Sequence, residues 1–146
     1  MAIDRQGMGL AILRICVGTF FLSEGLSKIR WFTNTSILAG QFASWSAAAA
    51  PGSVARWYLG RIAVPWVAYF ARLVPIGEMS CGIALIIGWW TPVFAFIAFF
   101  MALNFQIAGD AIFRSSFLVS GYGLPVLGST LALTFGGVRL PWSVRA

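Results

Sequence analysis

The sequence contains no histidine and very few charged side chains. Its 146 residues include 10 Lys or Arg and 4 Asp or Glu, so that 10% of the chain is charged, whereas a soluble domain carries roughly 25%. The missing histidine excludes the side chain that proteins use most often as a metal ligand and as a general base. Because so few charges cannot cover a globule in water, we expect most of the chain to be surrounded by lipid.

Cysteine is also scarce, and its placement excludes a metal-binding or redox pair. Cys16 and Cys81 lie in separate apolar runs, without the short spacing of such pairs. Cys16 lies two residues from Arg14, about 200° around a helix, and therefore on a different face. We predict two free thiols.

The charge balance is basic, with a formal net charge of +6. In a membrane chain such an excess attracts anionic lipid headgroups. The sequence has no dense Lys and Arg cluster of the kind that a nucleic-acid surface requires. We therefore expect membrane lipids as partners and no nucleic acid.

Four segments are apolar over the length of about 20 residues that a membrane-spanning helix requires. The last three are joined by short links, which make consecutive helices antiparallel, and Pro125 predicts a kink in the fourth. The predicted fold class is all-α: residues 1–146 form a single domain, an up-down bundle of four transmembrane helices in a multi-pass membrane protein. The predicted spans are 8–29, 67–90, 92–109 and 117–137.

The first loop, residues 30–66, is long and contains no span-length apolar run. Ser53 is placed to cap a short helix that reaches Arg61 and is ended by Pro65. The loop is rich in aromatic and basic residues, which predicts a segment lying in the membrane interface; a soluble cap over the bundle is the alternative. The residues that favour the interface are Trp45, Arg56, Trp57, Tyr58, Arg61 and Trp66.

The charges inside the predicted spans are the most informative residues, since each costs about 2.5–3.5 kcal/mol at the centre of a membrane helix. Arg14 and Lys28 share one face of the first span with three small residues, so this face is predicted to point into the bundle. Glu24 lies four residues before Lys28, the favourable order for an ion pair within a helix. Glu78 lies on a corresponding stripe of the second span.

Two interpretations of these charges remain open. They form a structural ion pair, or they form a polar site for a quinone headgroup or another ligand between the first two helices. We expect Glu78 to face inward and to be ionised only if Lys28 or Arg14 reaches it, since a carboxyl without a partner in lipid stays protonated. Nearby polar residues are expected to form hydrogen bonds between helices: Asn104, Gln106 and Tyr122.

Two segments, ILRICVGTFFLSEGLSKI and PIGEMSCGIALIIGWWTP, resemble signatures of DoxX-like membrane proteins. The long first loop is more similar to the DoxD branch, the small subunit of thiosulfate:quinone oxidoreductase. The chain departs from the family pattern in having Pro92 after Thr91, where a basic residue is common, and in lacking an Asp in its tail, GGVRLPWSVRA. The matching positions are Arg14, Gly25, Lys28, Glu78, Gly82 and Gly88.

The resemblance implies an accessory subunit of a larger membrane redox or electron-transfer assembly, without its own catalytic centre, in a prokaryotic cytoplasmic membrane. The alternative is a DoxD-like quinone-linked oxidoreductase subunit that contributes to a quinone pocket. Quinone is the one cofactor considered; no metal is expected. The candidate residues for binding a quinone are Arg14, Glu24, Lys28 and Glu78. A small transporter is disfavoured because no internal repeat is visible.

Overall fold

The computed structural model describes residues 5–112 and 114–144, so both ends of the predicted domain 1–146 and Phe113 lie outside the described residues. The described chain is helical and contains no strand, which confirms the all-α class. A 3₁₀ turn follows the first helix, a π turn follows the third, and a second 3₁₀ turn precedes the last. The helices are α1 (Arg5–Ser27), α2 (Ser36–Ala48), α3 (Val54–Tyr58), α4 (Val67–Ile87), α5 (Thr91–Ala108) and α6 (Leu124–Gly136).

Three of these helices, α1, α4 and α5, are long and apolar enough to cross a membrane. They correspond to the predicted spans 8–29, 67–90 and 92–109. The second span ends three residues earlier than predicted, because Gly88 takes a left-handed conformation (φ 74°) that terminates α4. Pro92 lies in the first turn of α5, where its missing N–H costs nothing.

The fourth apolar segment is shorter than the predicted span 117–137. Its helix, α6, has 13 residues, about 20 Å of helix against a hydrocarbon core of about 30 Å. The chain turns tightly before α6: a Cβ at Gly123 would lie 2.5 Å from the carbonyl oxygen of Phe117. Pro125 therefore lies in the first turn of α6, and the predicted kink at this residue is wrong.

The small residues of α1 and α4 allow the two helices to pack at backbone distance. A Cβ at Gly82 would lie 2.5 Å from the backbone nitrogen of Leu22, and one at Gly18 would lie 2.8 Å from that of Ile86. The inward-facing stripe predicted for α1 is thus confirmed. The apolar core beside this contact joins α1, α4, α5 and α6 and includes Phe21, Cys81, Leu85, Ala98 and Leu133.

Residues 30–66 fold over one end of the bundle. Ser53 caps α3 as predicted, since its Oγ accepts a hydrogen bond of 3.2 Å from the backbone N–H of Arg56. Helix α2 was not predicted, because its 13 residues are too few to signal a span. It buries Leu38 and Phe42 in a second core that also contains Leu59, Ala63, Ala71 and Ala108. Placement of this segment in the membrane interface stays a prediction.

The two cysteines lie in different environments. Cys16 is exposed on the outer surface of α1, whereas Cys81 is buried in the core, and both are free thiols. The prediction that Cys16 faces away from α4 is confirmed.

Candidate functional site

Lys28 connects two acidic side chains at the end of the bundle that residues 30–66 cover. It follows directly after α1, and its Nζ lies 2.9 Å from each carboxylate oxygen of Glu78 on α4 and 2.8 Å from Oε2 of Glu24. The side chain of Glu78 is only 5% exposed and that of Lys28 13%, so water replaces these contacts poorly. The expectation that a cation from the first helix reaches Glu78 is confirmed, and that cation is Lys28.

Aromatic rings surround the ammonium group of Lys28. Its Nζ lies 5.5 Å from the ring centroid of Phe105 and 5.9 Å from that of Trp31. At these distances the negative face of a ring attracts a cation. The position of Lys28 is therefore fixed by two carboxylates and by two rings that belong to different parts of the chain.

A cavity of about 390 Å³ opens beside these three charges. This volume falls within the range of about 300–1,000 Å³ that is typical of small-molecule sites. Glu24, Lys28 and Glu78 are its only charged lining residues in the described chain, and they form one polar patch. Most of the remaining wall is aromatic or small, and its aromatic members are Phe20, Phe21, Trp31, Trp45, Phe105 and Tyr122.

Residues of the long loop complete the cavity. Trp45 of α2 packs edge-on against Phe105 of α5, with ring centroids 6.2 Å apart, and also contacts Phe42. Helix α2 thus turns the Trp45 ring onto the bundle, and the depth of this ring in a membrane stays a prediction. Trp57 and Trp66, which were predicted beside it, remain exposed.

Hydrogen bonds between elements hold the walls of the cavity. The side-chain amide of Gln106 donates to the backbone carbonyl of Tyr122 over 2.7 Å. The phenol of Tyr58 donates to Oδ1 of Asn104 and so joins α3 to α5. Burial of this phenol raises the pKa of Tyr58. The predicted hydrogen bond between helices is confirmed for Asn104, whereas Gln106 and Tyr122 are joined through the backbone carbonyl of Tyr122 in the loop before α6.

Arg14 lies away from the cavity, so the structure does not bring it to Glu78. It lies opposite Gly88, ten residues beyond Glu78 along α4, which is a separation of about 15 Å. Its guanidinium is fully buried and donates to the Oγ of Ser143 and the carbonyl of Trp142. Arg14 therefore holds the C-terminal segment, and a shared site of Arg14 with Glu78 is excluded by this geometry.

The sequence did not reveal the part of the cavity wall that the long loop supplies. Trp31, Gln41 and Trp45 come from a loop whose fold depends on α2, and the only signal in the sequence was the aromatic content of this loop. The described residues contain no group of three or more Cys, Asp or Glu side chains that could hold a metal ion. The arrangement is suited to a mostly apolar ligand that carries a few polar atoms at one end.

Comparison with known proteins assigns the chain to a family. The chain matches the DoxX family model over residues 9–110, which is more than two thirds of its length and includes all three charges of the cavity. No curated protein and no solved structure matches it. The chain belongs to the DoxX family.

Proposed function

We propose that this protein is an integral membrane subunit of a larger redox assembly and that it contributes a pocket for a quinone headgroup, without a catalytic centre of its own. One observation carries the proposal: an aromatic cavity of about 390 Å³ ends in a patch of three charges beside the membrane-spanning helices. A quinone has a flat ring, polar atoms on opposite edges and an apolar tail. Such a ring suits aromatic walls, and its polar atoms suit a small polar patch.

The hydrogen bonding of Lys28 supports a binding role rather than a catalytic one. Its ammonium group is engaged by Glu24 and Glu78, so that it offers no free amine to act as a nucleophile. The rest of the lining in the described chain contains no second nucleophile with an adjacent base. A subunit that holds a redox ligand for a catalytic partner accounts for this composition.

The proposal of a larger assembly is supported by α6. Its 13 residues are fewer than a spanning helix needs, and association with another protein is one way in which a membrane accommodates a short apolar segment. Phe135 on this helix is 82% exposed. A neighbouring subunit would cover this side chain and the short helix together.

Binding of decylubiquinone to the detergent-solubilised protein tests the proposal. Quinone near Trp31 and Trp45 should quench tryptophan fluorescence with a saturable curve. Trp45→Phe should remove much of the quenched signal, whereas Trp142→Phe, at the other end of the bundle, should not. Phe105→Ala should weaken binding about tenfold through loss of a stacking wall, an effect of about 1.4 kcal/mol.

A control for substitution away from the cavity is Arg72→Met. Arg72 is exposed, and among the described residues its side chain donates only to the carbonyl of Ala68 on its own helix, so this variant should bind like the parent. Quenching that never saturates, or that is the same in the parent and in Phe105→Ala, would show partition of quinone into the micelle. That result would contradict the pocket.

A further inference from the structure

We infer that the cavity binds the reduced form of its ligand, the quinol, more tightly than the quinone. The inference rests on the proposed function and concerns the hydrogen bonds that the charged patch has left to offer. A quinone carbonyl only accepts hydrogen bonds, whereas each hydroxyl of a quinol also donates one. The free atoms of the patch therefore decide which redox form fits.

The donors of the patch are already used. An ammonium group has three N–H bonds, and the Nζ of Lys28 faces Oε2 of Glu24 at 2.8 Å and both oxygens of Glu78 at 2.9 Å. It also lies 3.3 Å from the backbone carbonyl oxygen of Glu24. A quinone carbonyl would have to displace a carboxylate to reach this ammonium group.

The acceptors of the patch and of the wall beside it are not all used. Glu24 is the most exposed of the three charges, with 30% of its side chain accessible. Its Oε2 faces Lys28, whereas its Oε1 accepts no hydrogen bond from any described residue. Gln106 donates through its amide nitrogen to Tyr122, and its Oε1 likewise has no donor within the described chain. Both residues line the cavity.

The charge of the patch points in the same direction. Two carboxylates and one ammonium leave a formal charge of −1 among the charged residues of the lining. This charge attracts the hydrogen of a hydroxyl and repels the partial negative charge of a carbonyl oxygen. Hydrogen bonds to an ionised acceptor are about twice as strong as neutral ones.

The remaining donors of the cavity are neutral. They include the indole N–H groups of Trp31 and Trp45, the side-chain amide of Gln41 and the hydroxyl groups of Ser120 and Tyr122, and they can donate to a quinone carbonyl and to a quinol oxygen alike. The carboxylate therefore sets the difference, which we expect to be about tenfold in Kd, the effect of one charge-assisted hydrogen bond. For a two-electron couple, a tenfold preference for the reduced form raises the midpoint potential of the bound ligand by about 30 mV.

The test uses three ring analogues of similar size: duroquinone, duroquinol and the dimethyl ether of duroquinol, which has no donor. Each is titrated by calorimetry, without oxygen, into the full chain in detergent. We expect duroquinol to bind about tenfold more tightly than duroquinone, and the dimethyl ether to bind no better than duroquinone. The preference is a ratio measured on the parent protein, so it needs no variant to be decided.

Glu24→Gln identifies the atom that carries the preference. The amide supplies a donor, removes one charge and frees an N–H of Lys28, so the ratio should fall towards one without weaker binding of duroquinone. Asp110→Asn is the matched control. Asp110 also forms an i,i+4 ion pair, with Arg114, but it does not line the cavity. Asp110→Asn should therefore keep the ratio of the parent protein.

Two results would overturn the inference in different ways. Equal binding of both forms, or tighter binding of duroquinone, would contradict the preference for quinol and leave the pocket intact. Saturable binding of none of the three probes would contradict the proposed function, and the inference would fall with it.

Discussion

Lys28 and Glu78 are 50 residues apart in sequence and form a bidentate contact, with Nζ at 2.9 Å from both carboxylate oxygens. This contact closes one end of the α1–α4 interface and forms the polar wall of the cavity. The same ion pair therefore contributes to the stability of the bundle and to the chemistry of the proposed site.

We expect loss of either partner of this pair to destabilise the fold. Lys28→Met leaves the buried carboxylate of Glu78 without its cation, a cost of about 3 kcal/mol. Glu78→Leu and Glu78→Gln should both lower the melting temperature in detergent, and Leu more than Gln, because the amide keeps a hydrogen bond with Lys28.

The double variant Lys28→Met/Glu78→Leu should recover part of the loss, because it leaves neither charge of this pair without its partner. Arg72→Met is the control and should melt like the parent. If Glu78→Leu also melted like the parent, the pair would contribute nothing to the bundle.

The close approach of α1 and α4 gives a second prediction, on glycines. Gly82→Ala should cost about 1–3 kcal/mol, because the new Cβ would lie 2.5 Å from the backbone nitrogen of Leu22 and force the helices apart. Gly9→Ala on α1 is the matched control. A Cβ there meets nothing within 4 Å, and the better helix propensity of alanine should raise stability slightly. Thermal unfolding of the two variants decides between these outcomes; equal melting temperatures would mean that the helices do not touch at Gly82.

Arg14 should control the C-terminal segment rather than the cavity. Its buried guanidinium holds Ser143 and the backbone of Trp142, so Arg14→Met should release residues 140–144 and speed their hydrogen exchange and proteolysis. Arg14→Lys should rescue this only partly, because an ammonium group lacks the planar fork that reaches two acceptors. Quinone binding should be unchanged in both variants. A loss of quinone binding together with an intact tail would place Arg14 in the site.

Tyr58 gives the prediction for pH. Burial raises the pKa of its phenol above the ordinary value of 10.0, so the neutral phenol is favoured in the folded state. The stability that this group contributes is present below pH 10 and is lost as the pH rises through the higher folded pKa. The phenolate absorbance of the parent minus that of Tyr58→Phe should show a transition above pH 10. A transition at or below pH 10 would contradict the burial of this ring.

Much of the fold follows from the sequence, because its main signals are local. Apolar length predicts α1, α4 and α5, and the spacing of Gly18 and Gly25 predicts which face of α1 is buried. The order of Glu24 and Lys28 likewise predicts their ion pair. These features depend on neighbours within two or three turns of one helix.

The rest depends on contacts between distant segments. The choice between Arg14 and Lys28 as the partner of Glu78 is set by the register of two antiparallel helices, which the glycine contacts fix only in three dimensions. The aromatic wall requires α2 to fold back, so Trp45 carries no local mark of its role. The turn before α6 shortens an apolar segment that looks continuous in the sequence.

Photo-crosslinking tests most directly whether a quinone headgroup occupies the cavity between the loop segment and the bundle. An azido-quinone is activated in membranes that contain the protein, and the labelled peptides are mapped. We expect adducts on the cavity wall, at residues such as Phe20, Trp45 and Phe105, and we expect excess unlabelled quinone to prevent them. The opposite result is a set of adducts on the exposed rings of α5, Phe96 and Phe100, which persist in excess quinone. That result would contradict occupancy of the cavity.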